Sequence, residues 1–405
     1  MNEVAATPAA APRVRLGLDV CLERPPAVLQ QARRIGVLLN QASLDSQGQL
    51  TCDVLAARFP GRIDRLFSPQ HGLWGEQQAN MIESPHGHYP PLEVPVYSLY
   101  GDVRSPTREM LAGLDCLVID LQDVGTRVYT FAWTLLHCLQ ACAARDLPVV
   151  VLDRPNPLGG QVVEGPRLQR DFRSFVGGAE IPLRHGLTLG ELALWLNSGL
   201  PRACPLTVVP LAGWRREQLF AATGLPWSPP SPNMPHPETA LVYPGQVLLE
   251  GTNLSEGRGT TTPFAVCGAP FIDPFRLSAA LAPCVAWGFA VRPTRFLPAF
   301  DKWCGQSCGG VALRPLAGAT HRPVACTVAL LATVIRFWPR EFHWLPPPYE
   351  YETQRLPIDI LWGSADLRHW LASDPLDATP DEILARTRTA EDDWWSAVST
   401  ALLYP

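Results

Sequence analysis

Charge, long apolar runs and paired-cysteine motifs are all scarce in this sequence. Charged residues make up 18% of the 405 residues and the formal net charge is −5, so we expect neither a nucleic-acid surface nor an anionic-membrane surface. No apolar stretch reaches the roughly 18 residues that a membrane-spanning helix needs. The eleven cysteines form no CxxC pair, and the N-terminus lacks the apolar core of a signal peptide. These features favour a reducing compartment and a cytoplasmic location.

Several motifs of cofactor and nucleophile chemistry are absent too. No GxGxxG motif follows the first predicted strand, so we expect no dinucleotide, and no GxSxG motif indicates a serine hydrolase. The histidines are scattered and no spacing matches a zinc site, so we expect no metal.

What the sequence does contain is a series of short apolar runs that end in polar residues. These runs predict strands at residues 34–39, 62–67, 116–121, 148–152 and 207–210. Helical patterns fall between them, at residues 50–58, 105–113 and 129–145. Residues 177–196 are predicted to be a loop followed by a helix, with Thr188 and Glu191 as a capping box. Alternating strands and helices predict an α/β fold with a parallel, Rossmann-like sheet.

A proline-dense passage at residues 226–237 separates this pattern from the rest of the chain. The second half mixes strand and helix patterns and ends in a predicted helix over residues 380–402. We therefore predict a loose tail at residues 1–15, a Rossmann-like catalytic domain at 16–237 and a smaller α+β domain at 238–405.

Polar side chains follow the strand at residues 116–121. Ligands of open α/β sheets bind beyond the carboxyl ends of the strands, so Asp123, Arg127 and Tyr129 are candidates for a site. Arg127 has the geometry to hold an anionic or hydroxyl-rich ligand, although an Asp–Arg pair that only pins the turn is the alternative. Asp120 lies inside the apolar run and is expected to be a hydrogen-bonded structural acid.

The segment 68–84 is long, polar and broken by glycines. Its His71, Glu76 and Glu83 suit general acid–base chemistry, while the alternative is that the two glutamates are solvated acids near a helix start. Similarly, the rigid turn at residues 153–157 either presents Arg154 and Asn156 to a ligand or serves as a structural corner.

The glycine-rich segment 250–260 has a backbone that a ligand can approach closely. It lacks the Lys-Ser/Thr ending of a P-loop, which weighs against a phosphoryl or nucleotidyl transferase. Its Glu256 and Arg258 either act on a ligand or pair with each other.

Taken in order, the motifs resemble the exo-β-N-acetylmuramidases of the NamZ type, formerly a domain of unknown function (DUF1343). The resemblance covers nearly the whole chain, from about residue 16 to the end. The matching motifs are GVLLNQAS (36–43), LFSPQHG (66–72), DLQDVGTRVYT (120–130), LDRPNPLGG (152–160), VEGP (163–166), RHGLTLGELA (184–193), SPNMP (231–235), YPG (243–245), EGTNLSEGRGT (250–260), GAPFID (268–273) and YETQRLPIDILWGS (351–364).

This resemblance implies a fold, a reaction and a substrate. The fold would be a Rossmann-like N-terminal domain and a smaller α+β C-terminal domain, with the active site in the cleft between them. The reaction would release terminal N-acetylmuramic acid from the non-reducing end of peptidoglycan fragments, without a cofactor. The partner would be a small carbohydrate, a muropeptide or a muramyl disaccharide. The catalytic carboxylate would be a glutamate on a loop of the N-terminal domain.

One departure from the family concerns Gln70, because many relatives read PEHG where this chain reads PQHG. Glutamine cannot act as an acid or a carboxylate nucleophile. Either Glu76 or Glu83 on the same loop takes over, or the chain is a catalytically silent relative that binds muropeptides.

Glycoside hydrolysis generally uses two carboxyl groups, and we predict Glu76 as general acid and Asp123 as the second carboxylate. Tyr129 and His71 are predicted to orient them, with Glu83 as a further catalytic candidate. The predicted substrate-binding residues are Asn40, Gln70, Arg127, Arg154, Asn156, His185, Asn233, Asn253, Glu256 and Arg258.

Overall fold

A computed structural model of the chain describes residues 14–78, 81–373 and 378–405. The strands are β1 Ile35–Leu38, β2 Ile63–Ser68, β3 Gly87–Tyr89, β4 Val94–Ser98, β5 Cys116–Ile119, β6 Val149–Leu152, β7 Glu164–Arg167, β8 Pro182–Arg184, β9 Leu206–Val209, β10 Val266–Ala269, β11 Phe289–Phe296 and β12 Cys308–Pro315. Every strand predicted from the apolar runs is present, to within one or two residues at each end.

The first half is built on a seven-stranded sheet in the order β3-β4-β2-β1-β5-β6-β9. All pairings in it are parallel except that of β3 with β4. Strand β1 pairs with β2 on one side and β5 on the other, so the strand order reverses there, as in a doubly wound fold. Strands β1, β5 and β6 are buried along their whole length, which explains their unbroken apolar sequences. The predicted α/β, Rossmann-like fold class is confirmed.

The helices cover the faces of this sheet and build most of the second half. They are α1 Gly17–Glu23, α2 Ala27–Gln31, α3 Thr51–Arg58, α4 Phe131–Ala143, α5 Leu189–Ser198, α6 Pro237–Gln246, α7 Pro274–Ala280, α8 Pro323–Phe337, α9 Pro357–Trp362, α10 Asp366–Ala372, α11 Pro380–Thr387 and α12 Glu391–Val398. Short 3-10 helices lie at Pro90–Leu92, Arg170–Phe172, Phe220–Thr223, Val247–Gly251, Ala282–Trp287 and Ser399–Ala401. No helix within the described ranges is long and apolar enough to span a membrane.

The capping box predicted at the start of α5 is present. Thr188 accepts a hydrogen bond from the Glu191 backbone N–H, and the Glu191 carboxylate accepts one from the Thr188 backbone N–H. Two other helix predictions are wrong. Residues 105–113 contain no helix and form turns over 108–113, and residues 380–402 include α11, α12 and a 3-10 helix. The predicted final helix is interrupted by a tertiary contact, because Thr389, between α11 and α12, donates a hydrogen bond to the Gly165 carbonyl of β7.

Strands β3 and β4 were not predicted, because β4 carries Pro95 and prolines weaken a strand assignment. Proline is tolerated near a sheet edge, where a missing N–H removes few ladder bonds. Of the predicted tail, residues 1–13 lie outside the described residues. Val14 and Arg15 are held in place, with their backbone N–H groups donating to Thr223 and Ala212 carbonyls.

The second half contains an antiparallel sheet in the order β10-β12-β11, with helices α6, α7 and α8 packed near it. One continuous apolar cluster joins the two halves, since it includes Leu117 and Ile119 of β5 together with Leu248 and Leu330 of the second half. The predicted boundary at residue 237 falls at the start of α6.

A buried carboxylate on β7 also connects the halves. Glu164 accepts a hydrogen bond of 2.8 Å from the backbone N–H of Ala325, in the first turn of α8. Burial raises the pKa of Glu164 to about 7, although Ala325 and the nearby Arg184 lower it. The first N–H groups of a helix need such acceptors, so Glu164 caps α8 from the opposite half.

We expect Glu164→Ala to lower the free energy of unfolding by about 1–2 kcal/mol, because it leaves the start of α8 uncapped. Urea unfolding at constant pH measures the loss. Glu164→Gln is the matched control, since its side-chain oxygen still accepts the same hydrogen bond. An alanine variant as stable as the glutamine variant would exclude this capping role.

Candidate active site

A small polar cavity lies where the two halves meet, beyond the carboxyl end of β2. Both halves contribute to its lining, which consists of Gln70, His71, Val128, Tyr129, Thr130, Phe131, Val176, Ser231, Asn233, Met234, Tyr243, Glu250, Arg258, Phe264, Tyr349 and Glu350. Its volume is about 30 Å³, far below the several hundred Å³ of typical ligand pockets. The cavity is therefore narrow in this structure.

Gln70 is one of these lining residues and contacts a glutamate from the second half. Its side-chain oxygen accepts a hydrogen bond of 2.6 Å from the Thr130 hydroxyl. Its amide nitrogen donates to Glu350 Oε1 over 3.3 Å, and the Tyr100 hydroxyl donates to Glu350 Oε2 over 2.9 Å. Gln70 of this chain's PQHG segment thus binds the carboxyl group of a glutamate from the second half.

Glu350 is 3% exposed. Burial raises its pKa to about 7, and Glu250 raises it further, whereas Tyr100 and Gln70 lower it. A carboxyl group with a pKa near 7 is protonated in a large fraction of molecules at neutral pH, as a general acid requires. Sequence reasoning missed Glu350, because neither its burial nor its contact with Gln70, 280 residues away along the chain, is visible in the sequence.

A second carboxylate, Glu250, also lines the cavity. It accepts hydrogen bonds from Arg258 Nη2 over 2.7 Å and from the Tyr349 hydroxyl over 2.6 Å. Arg258 pairs through Nε with Glu256, and Lys302 pairs with Glu256 over 2.7 Å. Of the two alternatives for Glu256 and Arg258, pairing with each other is observed, and Arg258 lines the cavity as well.

His71 lines the cavity as a neutral imidazole. Its Nδ1 lies 2.6 Å from the Gln77 carbonyl oxygen, so Nδ1 carries the proton and Nε2 is the acceptor. Burial lowers the pKa of His71 to about 4, and the charge of Arg258 adds to this effect. His71 therefore suits accepting a proton or a hydrogen bond, and it does not supply a positive charge at neutral pH.

Tyr129 and Asn233 also lie at the cavity, as predicted. The Tyr129 ring makes edge contacts with Phe131 and Tyr243, at centroid distances of 4.7 and 6.0 Å. Burial raises the pKa of its hydroxyl, so that the group stays protonated. Asn233 donates through Nδ2 to the Gln78 carbonyl over 2.8 Å, which ties the segment after β2 to the cavity wall.

Asp123 and His185 lie together but do not line the cavity. Asp123 Oδ2 accepts the Gly125 backbone N–H over 2.7 Å and lies 3.6 Å from His185 Nε2. His185 Nδ1 accepts the Leu187 N–H, so the ring proton of the neutral form is on Nε2 and faces Asp123. The turn needs glycine, because Gly125 has φ +71° and a Cβ there would lie 2.3 Å from Asn156 Oδ1.

Arg127 lies away from the cavity, in the protein core. Its side chain is 0% exposed. Its two terminal nitrogens donate to four backbone carbonyls, those of Pro166, Ile181, Leu361 and Trp362. A ligand cannot reach this guanidinium, so we assign it a structural role in place of the predicted contact with substrate.

Arg154 is also held inside the first half. It forms a buried ion pair with Asp120, whose carboxylate also accepts the Thr51 hydroxyl. Asp120 is thus the hydrogen-bonded structural acid that its apolar surroundings indicated. Arg154 lies outside the active-site cavity, and its predicted substrate contact there is replaced by this pairing.

Three asparagines that were predicted to bind substrate instead form hydrogen bonds with the backbone. Asn40 donates to the Pro230 carbonyl, Asn156 to that of Leu187 and Asn253 to that of Glu341. Their side-chain oxygens accept backbone N–H groups as well. All three are buried and stabilise loops around the site without lining the cavity.

The two predicted loop glutamates are exposed. Glu76 lies close to Gly72, and Glu83 pairs with Arg104 over 3.1 Å on the surface. Neither lines the cavity, and their catalytic roles stay predictions. Within residues 14–78, 81–373 and 378–405, no group of three or more His, Cys, Asp or Glu side chains is placed to hold a metal ion.

Two carboxyl groups, those of Glu250 and Glu350, line this polar cavity, and glycoside hydrolysis generally uses a pair of carboxyl groups. Comparison with known proteins agrees, and the chain belongs to the exo-β-N-acetylmuramidase NamZ family. The family's N-terminal model matches residues 35–238 and its C-terminal model residues 241–404. The predicted family is therefore confirmed.

A curated relative and two solved structures extend this match. The chain is 40% identical over 339 residues to the peptidoglycan β-N-acetylmuramidase NamZ of Bacillus subtilis (strain 168), covering 82% of this chain and 80% of that protein. Crystal structures of two DUF1343 family proteins from Bacteroides fragilis align over 97% of this chain and 99% of theirs. Their TM-scores are 0.87 and 0.74, at 29% and 28% identity. The alternative of a catalytically silent relative is not supported by these matches.

Proposed function

We propose that this protein is an exo-β-N-acetylmuramidase that removes terminal N-acetylmuramic acid from the non-reducing end of peptidoglycan fragments. The observation that carries the proposal is Glu350, a buried carboxyl group with a pKa of about 7 in the cavity between the two halves. The family supplies the substrate class, and this carboxyl group supplies the chemistry that Gln70 cannot.

Glu350 acts as the general acid in this proposal. Protonated Glu350 donates its proton to the glycosidic oxygen as the bond to the leaving sugar breaks, which lowers the barrier for an oxocarbenium-like transition state. Gln70 and Tyr100 position the carboxyl group through their hydrogen bonds. The glutamine of the PQHG motif is thus a positioning residue here.

The second carboxyl group of the reaction is Glu250 or Asp123. Glu250 lines the cavity and is paired with Arg258, so it is available as an anion that stabilises positive charge on the sugar. Asp123 is our prediction from the sequence, and it lies beside the cavity against His185. Comparing the single-turnover rates of Glu250→Gln and Asp123→Asn distinguishes these two candidates.

The substrate carries its own carboxylate, on the lactyl group of the muramic acid. Arg258 is the cationic side chain in the cavity lining and suits this group. His71 Nε2 and Asn233 suit hydroxyl or acetamido contacts, and the proposed reaction needs no cofactor.

The direct test is mass spectrometry of products after the pure protein is incubated with synthetic N-acetylmuramyl-β-1,4-N-acetylglucosamine. We expect free N-acetylmuramic acid and N-acetylglucosamine in equal amounts. Calorimetry on the same sample detects binding. Binding without any product would contradict the proposed activity and support a binding protein.

The acid role of Glu350 predicts a pH dependence. Because the general acid must be protonated and its pKa is about 7, we expect kcat/KM to fall about tenfold per pH unit above that value. Gln70→Glu places a second carboxyl group where the Gln70 amide lies 3.3 Å from Glu350. The two carboxyl groups then share one proton, which is held more tightly. We expect the alkaline limb to move up by about one pH unit or more.

The measurement is a pH–rate profile of both proteins with the same disaccharide. Thr130→Ser is the matched control, because it keeps the hydroxyl that donates to Gln70 and leaves the charge of the cavity unchanged. An alkaline limb at the same pH in the wild-type and Gln70→Glu proteins would argue against Glu350 as the titrating acid.

We also propose that the protein acts in the cytoplasm on imported wall fragments. All eleven cysteines are free thiols and ten of them are buried, which suits a reducing compartment. Immunodetection in separated cytosolic and extracellular fractions tests this location. A protein found mainly outside the cell would contradict it.

A further inference from the structure

A second cavity lies at the point where the strand order of the sheet reverses. Polar residues that follow β1, β5 and β6 contribute to its lining, namely Asp45, Gln122 and Arg154. Its apolar walls include Leu16, Leu44, Phe220, Leu225 and Trp227, and its volume is about 120 Å³. It shares no lining residue with the active-site cavity. This reversal point is where open α/β sheets bind ligands.

Arg154 offers a hydrogen-bond donor to this cavity. The side chain is 5% exposed, and its ion pair with Asp120 uses Nε and Nη2. Nη2 also donates to the Leu44 carbonyl over 2.8 Å. Nη1 makes no hydrogen bond to any of the described residues. A lining guanidinium with a remaining N–H pair suits a carboxylate.

Two acceptors lie in the same lining. Asp45 Oδ1 accepts the backbone N–H groups of Gln47 and Gln49, each over 2.8 Å, while Oδ2 accepts none within the described part of the chain. Gln122 uses its amide nitrogen to donate to the Asp123 and Pro155 carbonyls, which leaves its side-chain oxygen as an acceptor. Carboxylate and amide oxygens together suit an ammonium group.

We propose that this cavity binds a small zwitterionic α-amino acid such as alanine. Its carboxylate would meet Arg154 and its ammonium group Asp45 and Gln122, with its side chain against Leu225 and Trp227. The cavity volume of about 120 Å³ lies below the roughly 300–1,000 Å³ of pockets for drug-sized ligands, which favours a ligand of few atoms such as a small amino acid. The site does not depend on the muramidase activity.

The test is isothermal calorimetry of the full-length protein with alanine, and with propionate and ethylamine as probes that each keep one charged group. We expect alanine to bind with a dissociation constant of about 1 mM, given its few atoms. Each single-charge probe should bind at least about tenfold more weakly, because it satisfies one side of the site.

Three variants locate the binding. Arg154→Lys and Asp45→Asn should each weaken alanine binding about tenfold or more, and Leu225→Trp should abolish it by filling the cavity. Leu225→Trp leaves the buried ion pair intact, so it still tests binding in this cavity if Arg154→Lys fails to fold. Glu350→Gln is the control and should leave the affinity unchanged. No binding of alanine, binding unaffected by all three variants, or binding lost in Glu350→Gln would overturn the proposal.

Discussion

Replacing Glu350 with glutamine is expected to lower kcat on the muramyl disaccharide about 10³-fold, because the reaction loses its proton donor. Glutamine has nearly the same shape and still offers an oxygen to the Tyr100 hydroxyl. The substrate should therefore still bind, and KM should change much less than kcat. Rates of product formation, followed by mass spectrometry or coupled sugar detection, measure the changes in kcat and KM.

Glu76→Gln is the informative comparison, because Glu76 is the acid that the sequence predicted. If Glu350 is the acid, Glu76→Gln retains most of the wild-type kcat. A variant pair in which Glu76→Gln is inactive and Glu350→Gln is fully active would reverse the assignment and leave Glu76 as the catalytic acid.

The stability of Glu350→Gln provides a check that the variant is folded. The pKa of Glu350 is raised from 4.5 to about 7 in the folded protein. Stability from this group is therefore fully present below about pH 4.5 and is lost as the pH rises towards 7, by up to about 3 kcal/mol. We expect Glu350→Gln to be more stable than wild type at pH 8 by urea unfolding, with a smaller difference at pH 5.

Arg127→Met is expected to have the largest effect on stability, a loss of about 4 kcal/mol or more in the free energy of unfolding. The buried guanidinium donates to carbonyls of Pro166 and Ile181 in the first half and of Leu361 and Trp362 in the second. Methionine fills similar space but leaves these acceptors without their donor, at about 1–3 kcal/mol each in a dry core.

Urea unfolding and the yield of soluble protein measure this loss. Arg127→Lys is the matched variant, because it keeps a positive charge but has one nitrogen in place of the planar fork. We expect it to fall between the wild type and Arg127→Met. A methionine variant within about 1 kcal/mol of wild type would contradict this structural role of Arg127.

The positions of the strands in the first half's parallel sheet could be predicted from the sequence because they depend on local patterns. Strands β1, β5 and β6 are apolar on both faces, and the capping box at Thr188 and Glu191 marks the start of α5 through neighbouring residues. The prediction of a single final helix was wrong for the opposite reason. Contacts such as that of Thr389 with the β7 carbonyl depend on residues distant in the sequence.

The active-site residues also fall into those that the sequence indicated and those that only the tertiary structure placed. By itself the sequence determined the family, the Rossmann-like sheet and five residues at the cavity, Gln70, His71, Tyr129, Asn233 and Arg258. Only the tertiary structure placed Glu350 against Gln70, 280 residues away along the chain, and moved Arg127 from the site into the core. A sequence shows which side chains carry charge, whereas burial and partners decide whether a charged group binds, catalyses or stabilises. Those are properties of packing between segments that are far apart in the chain.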